Sequence, residues 1–162
     1  MNNGEFYLAD AIDVIEEILS GGGEFRMYPK GTSMLPLIVQ GKDSVVLKRN
    51  FECAAKKHDI AFYRRTNGQF VLHRVMKICD DGTYVMCGDN QTELEYGIKK
   101  EQIIGYVDRI YKEDKEHSLD SFGHRLYLFF WCFMPYRKTW RFVKGKFFGL
   151  KRRLKKLFGK NK

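Results

Sequence analysis

The sequence predicts a mainly β domain that follows one amphipathic helix and precedes a basic tail. Short segments rich in β-branched and aromatic residues recur between residues 24 and 111. Turn sequences such as Thr66-Asn67-Gly68 and Asp80-Asp81-Gly82 separate the later segments. At 162 residues the chain is long enough for one domain with a real core. The spacing of the segments therefore predicts a compact, mainly antiparallel β fold over residues 24–111.

The first 23 residues predict a helix. Apolar side chains recur at three- and four-residue spacings with acidic residues between them, and three consecutive glycines at 21–23 end the pattern. The apolar positions are Phe6, Leu8, Ile12, Ile15 and Leu19. The helix is expected over residues 5–20, and it is too short and too polar to cross a bilayer.

Six later segments have the composition of strands: 25–28, 44–48, 59–65, 69–78, 83–87 and 103–111. In the fourth segment, strand alternation places His73 on the same face as Val71 and Val75, and places Leu72 and Arg74 on the other face. The polar stretch 112–121 predicts the boundary with the tail. The expected parts are therefore 1–23, 24–111 and 112–162.

The charge of the chain is divided between the β domain and the tail. The net charge is +9, yet no acidic residue follows Asp120. Thirteen of the 29 Lys and Arg residues lie after that point, which leaves sixteen basic against twenty acidic residues in the first 120. This asymmetry indicates a mildly acidic domain with a basic interaction tail.

The tail has the pattern of a helix that lies on an anionic membrane surface. After Pro135, apolar residues recur at alternating three- and four-residue spacings, and Lys and Arg fill the other face. These residues are Trp140, Val143, Phe147, Leu150, Leu154 and Leu157. The apolar segment 126–134 is too short to span a bilayer. A helix folded back on the domain is the alternative, whereas nucleic acid is not an expected partner because the apolar stripe is continuous.

The cysteines indicate neither a metal site nor a disulfide framework. Cys53, Cys79, Cys87 and Cys132 form no CxxC pair and have no histidine at metal-ligand spacing. Reduced thiols are therefore expected. Nothing in the sequence supplies a site for an organic cofactor, so none is expected.

Several polar residues could supply the parts of an acyl-transfer site. Ser33 lies in the loop GTSMLP, His73 lies in a strand, and Glu95 follows six residues after Asp89 of the GDN turn. In a Ser-His-acid site the imidazole takes the serine proton, and the carboxylate orients the imidazole. Each residue also has a purely structural interpretation, as a turn serine, a satisfied core histidine and a turn acid.

Taken together and in this order, GTSMLP, HRV and GDNQTELE resemble the boxes of the type I signal peptidases. The resemblance is to the Ser-His branch of the endoplasmic reticulum, archaea and some Gram-positive bacteria, and it covers roughly residues 27–110. It implies a β-barrel-like fold of the signal-peptidase/LexA type, with Ser33 as nucleophile and His73 as general base. It also implies Asp89 and Glu95 as acidic partners, with the acid that orients His73 left open. No cofactor is implied.

The resemblance implies a membrane-associated serine endopeptidase that removes a signal or leader segment from a peptide or protein precursor. Three features depart from the family. Gly31 stands where many members have a serine that helps hold the oxyanion, so that role falls to the Ser33 N–H and to Thr32. Glu95 replaces an aspartate, and the first helix is acidic instead of membrane-spanning. A non-catalytic membrane-binding module with a peptidase-like fold is therefore the second hypothesis.

The acid limb of activity can also be predicted if His73 is the base. The ordinary pKa of histidine is about 6.5. Nearby carboxylates raise that pKa and burial lowers it, so the limb is expected between about pH 6 and 8.

Overall fold

The computed structural model describes residues 8–49 and 55–131, with side chains from residue 11 onward. Two α-helices flank the strands in sequence, α1 (Leu8–Ser20) and α2 (Phe122–Trp131). The strands are β1 (Phe25–Met27), β2 (Asp43–Lys48), β3 (Ile60–Arg64), β4 (Phe70–Ile78), β5 (Tyr84–Cys87), β6 (Glu95–Ile98), β7 (Ile103–Lys112) and β8 (Lys115–His117). A short 3₁₀ helix, Lys100–Gln102, precedes β7.

The eight strands form one antiparallel sheet in the order β1-β2-β7-β3-β4-β5-β6, and β8 also pairs with β7. This confirms the prediction of a mainly β, antiparallel domain. The predicted barrel-like closure is wrong. The two ends of the sheet are short strands of three and four residues, β1 and β6, and no ladder among the described residues joins them.

All six predicted strands are present, as β1 to β5 and β7. Two further strands, β6 and β8, lie in segments for which no strand was predicted. β8 carries the sheet past residue 112, where the polar stretch had indicated the boundary with the tail.

The core lies on both faces of the sheet. One cluster packs α1 against the sheet, through Ile12, Ile15 and Leu19, all buried as the helical spacing predicts. A second cluster lies on the opposite face and includes Tyr63 and Val75. Leu72 belongs to the first cluster, whereas Val71 packs on the second. The alternation predicted for β4 is therefore confirmed, and it directs His73 to the face away from α1.

α2 follows a turn that ends at Ser121. The Ser121 hydroxyl accepts a hydrogen bond from the His124 N–H at 3.2 Å, as an N-cap serine does. His124 is the buried residue of this helix. Within the described ranges, no helix is long and apolar enough to cross a membrane. The apolar stripe predicted from Trp140 to Leu157 lies outside the described residues.

Candidate active site

Ser33 and His73 line the same cleft. The cleft has a volume of about 200 Å³ and lies between the loop after β1 and the first half of β4. Ser33 is half-buried in that loop, whereas His73 is only 2% exposed. Two residues forty positions apart in the sequence are therefore brought to one surface by the pairing of the strands.

The backbone of the GDN turn holds the Ser33 loop in place. The Asn90 N–H donates a hydrogen bond to the Ser33 carbonyl oxygen at 2.7 Å. The Asn90 side-chain amide donates a second hydrogen bond to the Thr32 carbonyl oxygen at 3.1 Å. Asn90 thus fixes two consecutive peptide groups of the loop that carries the serine.

Position 88 requires glycine because the GDN turn and the Ser33 loop lie so close together. A Cβ atom at this position would lie 2.7 Å from the Ser33 carbonyl oxygen and 2.9 Å from the Gln91 Oε1 atom. Real Cβ atoms do not approach backbone so closely, so any side chain would push the Ser33 loop away from the turn. The glycine of the GDN sequence therefore permits the contact that Asn90 makes.

His73 is connected to Glu95 through Tyr63. The Tyr63 hydroxyl donates to Glu95 Oε2 at 2.9 Å and lies 3.2 Å from His73 Nδ1. His73 Nδ1 and Glu95 Oε2 themselves are 3.9 Å apart. Strand pairing produces this arrangement, because Ala61 lies opposite His73 and Tyr63 lies two residues further along the same face of β3.

The protonation states along this connection follow from its geometry. Arg65 binds Glu95 with its Nε at 2.9 Å and its Nη2 at 2.6 Å. Burial acts to raise the pKa of Glu95, but the hydrogen bonds from Arg65 and Tyr63 outweigh it and lower that pKa below its usual value. Glu95 is therefore a carboxylate, which can only accept hydrogen bonds. Burial and the negative charge of Glu95 both raise the pKa of Tyr63 well above its usual value, so the phenol keeps its proton.

These states determine the tautomer of His73. The Tyr63 proton is directed at Glu95, so the phenol oxygen accepts from His73 Nδ1–H. The other ring nitrogen, Nε2, is then the unprotonated one. Burial lowers the pKa of His73 to about 4, against the opposing charge of Glu95. The imidazole is consequently a neutral base at physiological pH. This pKa lies below the range of 6 to 8 expected from the sequence.

Asp89 lies in a different network from Glu95. Arg74 and Asp89 are both fully buried and form two hydrogen bonds, Nε to Oδ1 at 2.8 Å and Nη2 to Oδ2 at 2.7 Å. Arg74 also donates to the His58 carbonyl oxygen at 2.8 Å. The structure thus brings Glu95 to His73 and joins Asp89 to Arg74. Through this ion pair Arg74 braces the GDN turn.

α2 adds two contacts to the same aspartate. The Tyr127 hydroxyl donates to Asp89 Oδ2 at 2.8 Å. The Trp131 indole N–H donates to the Asp89 carbonyl oxygen at 2.6 Å. Asp89 therefore links the GDN turn to β4 and to α2, and its neighbour Asn90 holds the Ser33 loop.

Two polar groups of Ser33 could take part in chemistry, its hydroxyl and its backbone N–H. Among the described residues, neither its hydroxyl nor its backbone N–H makes a hydrogen bond. A serine hydroxyl can be deprotonated by an imidazole that comes within hydrogen-bond reach, and an open N–H can stabilise the oxyanion that forms on attack at a carbonyl carbon. These are the chemical capacities of the cleft.

Sequence reasoning missed Tyr63, Arg65 and the two α2 residues on Asp89. A tyrosine in the middle of a buried strand needs a partner for its hydroxyl, which was an available signal for Tyr63. No corresponding signal pointed to Tyr127 or Trp131, because their partner lies about 40 positions away in the sequence.

Over residues 8–49 and 55–131, no group of three or more His, Cys, Asp or Glu side chains is arranged to hold a metal ion. Cys79 and Cys87 are free thiols. Comparison with protein-family models, with curated proteins and with solved structures finds no match for this chain.

Proposed function

We propose that this protein is a serine endopeptidase in which Ser33 is the nucleophile and His73 is the general base. The observation that carries the proposal is the position of both residues on one cleft, with His73 Nδ1 engaged by Tyr63 and its low pKa leaving Nε2 unprotonated. Glu95 acts on His73 through the Tyr63 hydroxyl. Asp89 has a bracing role, through Arg74.

The reaction follows the Ser-His scheme. Ser33 Oγ attacks the peptide carbonyl carbon while His73 Nε2 takes the hydroxyl proton. The negative oxygen that forms accepts hydrogen bonds from the Ser33 N–H and from the Thr32 side chain. His73 then gives its proton to the leaving amine, and water hydrolyses the acyl-enzyme by the same route. Glu95, held ionised by Arg65, stabilises the imidazolium formed in each half.

Two features support cleavage within a chain and not only at its end. Ser33 also lines a second cleft of about 320 Å³, formed with the residues after the GDN turn, so there is room on both sides of the serine. In addition, β5 pairs with β4 only from Arg74 onward. Within the described part of the chain, one edge of residues 70–73 is therefore open to an extended peptide, which could add as a strand beside His73.

The substrate of the proposed reaction is a signal or leader segment of a peptide or protein precursor. The cleft beside His73, at about 200 Å³, is smaller than the pockets of ~300–1,000 Å³ that hold drug-sized ligands, which suits short side chains next to the scissile bond. The signal-peptidase-type fold belongs to the same proposal. So does attachment to anionic lipid through the basic tail after residue 131, whose twelve Lys and Arg residues lie between 137 and 162.

Cleavage of a defined peptide library tests the proposal. The full chain, Ser33→Ala and His73→Ala are each incubated with a synthetic library of unstructured peptides, and new termini are identified by mass spectrometry. The wild-type chain is expected to produce them, and each variant to lose at least about 10³-fold in rate. Ser20→Ala, at an exposed position on α1, is the matched control and should cut like the wild type.

The fold of the variants is checked by their thermal melts. Ser33→Ala should melt like the wild type, because the Ser33 hydroxyl makes no hydrogen bond among the described residues. His73→Ala should melt at a lower temperature, because it empties a buried position and removes the contact with Tyr63, so its cleavage rate is compared per folded molecule. Cleavage by Ser33→Ala at the wild-type rate would overturn the assignment of the nucleophile. A wild-type chain that cuts nothing but still binds lipid would favour the non-catalytic membrane module.

A further inference from the structure

One face of α2 is apolar and, within the part of the chain that the structure describes, exposed. Phe122, Leu126, Phe129 and Phe130 are 80%, 46%, 75% and 53% exposed. Their spacing of four, three and one residues puts them on a single side of the helix. The opposite side carries His124, Tyr127 and Trp131, which face the body of the protein. α2 thus presents three exposed phenylalanines on one side, an arrangement that marks an interaction site.

The charge of the following chain indicates what covers this face. Residues 137–162 begin six positions after Trp131 and contain twelve Lys and Arg residues with no acidic residue. Phenylalanine and leucine on one side of a helix, beside a strongly basic segment, suit an anionic lipid surface. A protein groove would have to be both apolar and acidic over the same short distance.

The buried side of α2 leads directly to the Ser33 loop. Tyr127 and Trp131 donate hydrogen bonds to Asp89, and the next residue, Asn90, donates to the Ser33 carbonyl oxygen at 2.7 Å. The ten described residues of α2 make these tertiary contacts with Asp89, and tertiary packing supplies most of the stability of helices in proteins. Burial of its outer face would therefore strengthen the inner contacts as well.

We propose that α2 docks onto an anionic bilayer through Phe122, Leu126, Phe129 and Phe130, and that this docking holds the Asp89-Asn90 turn against the Ser33 loop. Lipid binding thereby activates the site. The activation rests on the proposed peptidase function, whereas the docking and the tightening of the turn do not. The protein is then most active where its membrane-borne precursor lies.

Vesicle binding tests the docking face. The full chain is sedimented with vesicles of about 30% phosphatidylserine in phosphatidylcholine, and with phosphatidylcholine alone. Replacing Phe129 and Phe130 together by serine should weaken partitioning onto the anionic vesicles at least ~10-fold while leaving the basic tail intact. Val14→Ser, at an apolar position 56% exposed on α1, is the matched control and should partition like the wild type.

Hydrogen exchange tests the connection without using activity. Anionic vesicles should slow exchange of the Asn90 amide at least ~5-fold in the wild type. Tyr127→Phe removes the hydroxyl that reaches Asp89 but keeps the lipid-facing side chains, so it should bind vesicles normally and lose most of this slowing. The library cleavage rate of the wild type should rise by a similar factor on vesicles.

Each other result has a defined meaning. Wild-type partitioning by the double serine variant would overturn the docking face. Unchanged Asn90 exchange on bound vesicles would overturn the connection to the Ser33 loop. A dimer without lipid that the double serine variant abolishes would assign the face to a second copy of the chain. Absence of cleavage, with the binding and exchange results as expected, would refute only the peptidase function.

Discussion

The buried pair of Arg74 and Asp89 makes Asp89→Ala the most informative change outside the catalytic residues. Both side chains are 0% exposed, and two hydrogen bonds of 2.8 and 2.7 Å join them. Removing the carboxylate removes both of these hydrogen bonds and the charge that balances the buried guanidinium, while Arg74 Nη1 still donates to the His58 carbonyl oxygen. Breaking a buried pair from one side costs about 3–5 kcal/mol of unfolding free energy.

That cost corresponds to a large change in the thermal melt. At roughly 2–4 °C per kcal/mol for a chain of this size, Asp89→Ala should lower the midpoint by about 6–20 °C. Scanning calorimetry or circular dichroism measures it. The Ser33 loop should also loosen, because Asn90 follows Asp89 and holds that loop, so the cleavage rate per folded molecule should fall.

Two controls separate this effect from general damage. Glu113→Ala breaks an exposed pair with Lys42, 3.2 Å long, and should change the unfolding free energy by less than ~1 kcal/mol. In an Arg74→Met background, Asp89→Ala should cost far less than in the wild type, because no buried charge is left unpaired. A fall of less than ~2 °C for Asp89→Ala alone would refute the reasoning, since the pair would then contribute almost nothing.

The remaining predictions concern the connection to His73, the GDN turn and pH. Tyr63→Phe should reduce cleavage ~10–100-fold with little change in the melt, and Tyr111→Phe, whose hydroxyl contacts the exposed Glu116, should not. Gly88→Ala should destabilise the protein by about 1–3 kcal/mol in urea titrations and slow cleavage, because its Cβ would lie 2.7 Å from the Ser33 carbonyl oxygen; a neutral result would contradict the close approach. Since burial lowers the pKa of His73 to about 4, cleavage should be constant near neutrality and fall only near that pH, and a limb at 6 to 8 would contradict this. Burial also lowers the pKa of His124 to about 4. Between pH 6.5 and 4 the unfolded chain therefore binds protons at His73 and His124 that the folded chain does not. The urea midpoint of unfolding should consequently fall as the pH is lowered over that range.

Strand composition was sufficient to predict most of the sheet, because β-branched and aromatic runs are separated by ordinary turn sequences. The turn before β8 lacks such a signal. Glu113 and Asp114 both have positive φ, 47° and 69°, as a two-residue hairpin turn requires, but neither is the glycine or asparagine that usually marks it. The polar stretch 112–121 therefore predicts a boundary, although it contains the turn of a hairpin.

The sequence predicts the residues of the candidate site but not their partners, and the structure divides the two acids between separate hydrogen-bond networks. Ser33 and His73 share a cleft, as expected for a nucleophile and its base. The sequence could not separate the roles of Asp89 and Glu95, since both follow the same strand. Only the fold shows that Arg74 lies beside the first and that Tyr63 stands between the second and His73.

The low pKa of His73 could not be predicted from the sequence either. Alternation predicted which face His73 occupies but not that it is 2% exposed, and the depth of burial decides whether desolvation or the Glu95 charge dominates. Composition and spacing carry no measure of that depth.

The central claim, that His73 activates Ser33, is tested most directly by a fluorophosphonate probe and mass spectrometry of the intact chain. Ser33 Oγ would form a bond to phosphorus as fluoride leaves, and His73 would take the hydroxyl proton. The account predicts one adduct near neutral pH, mapped to the peptide that contains Ser33, absent in Ser33→Ala and slowed at least ~10²-fold in His73→Ala. Labelling of Ser33 at the same rate in His73→Ala, or a labelled serine elsewhere, would contradict it.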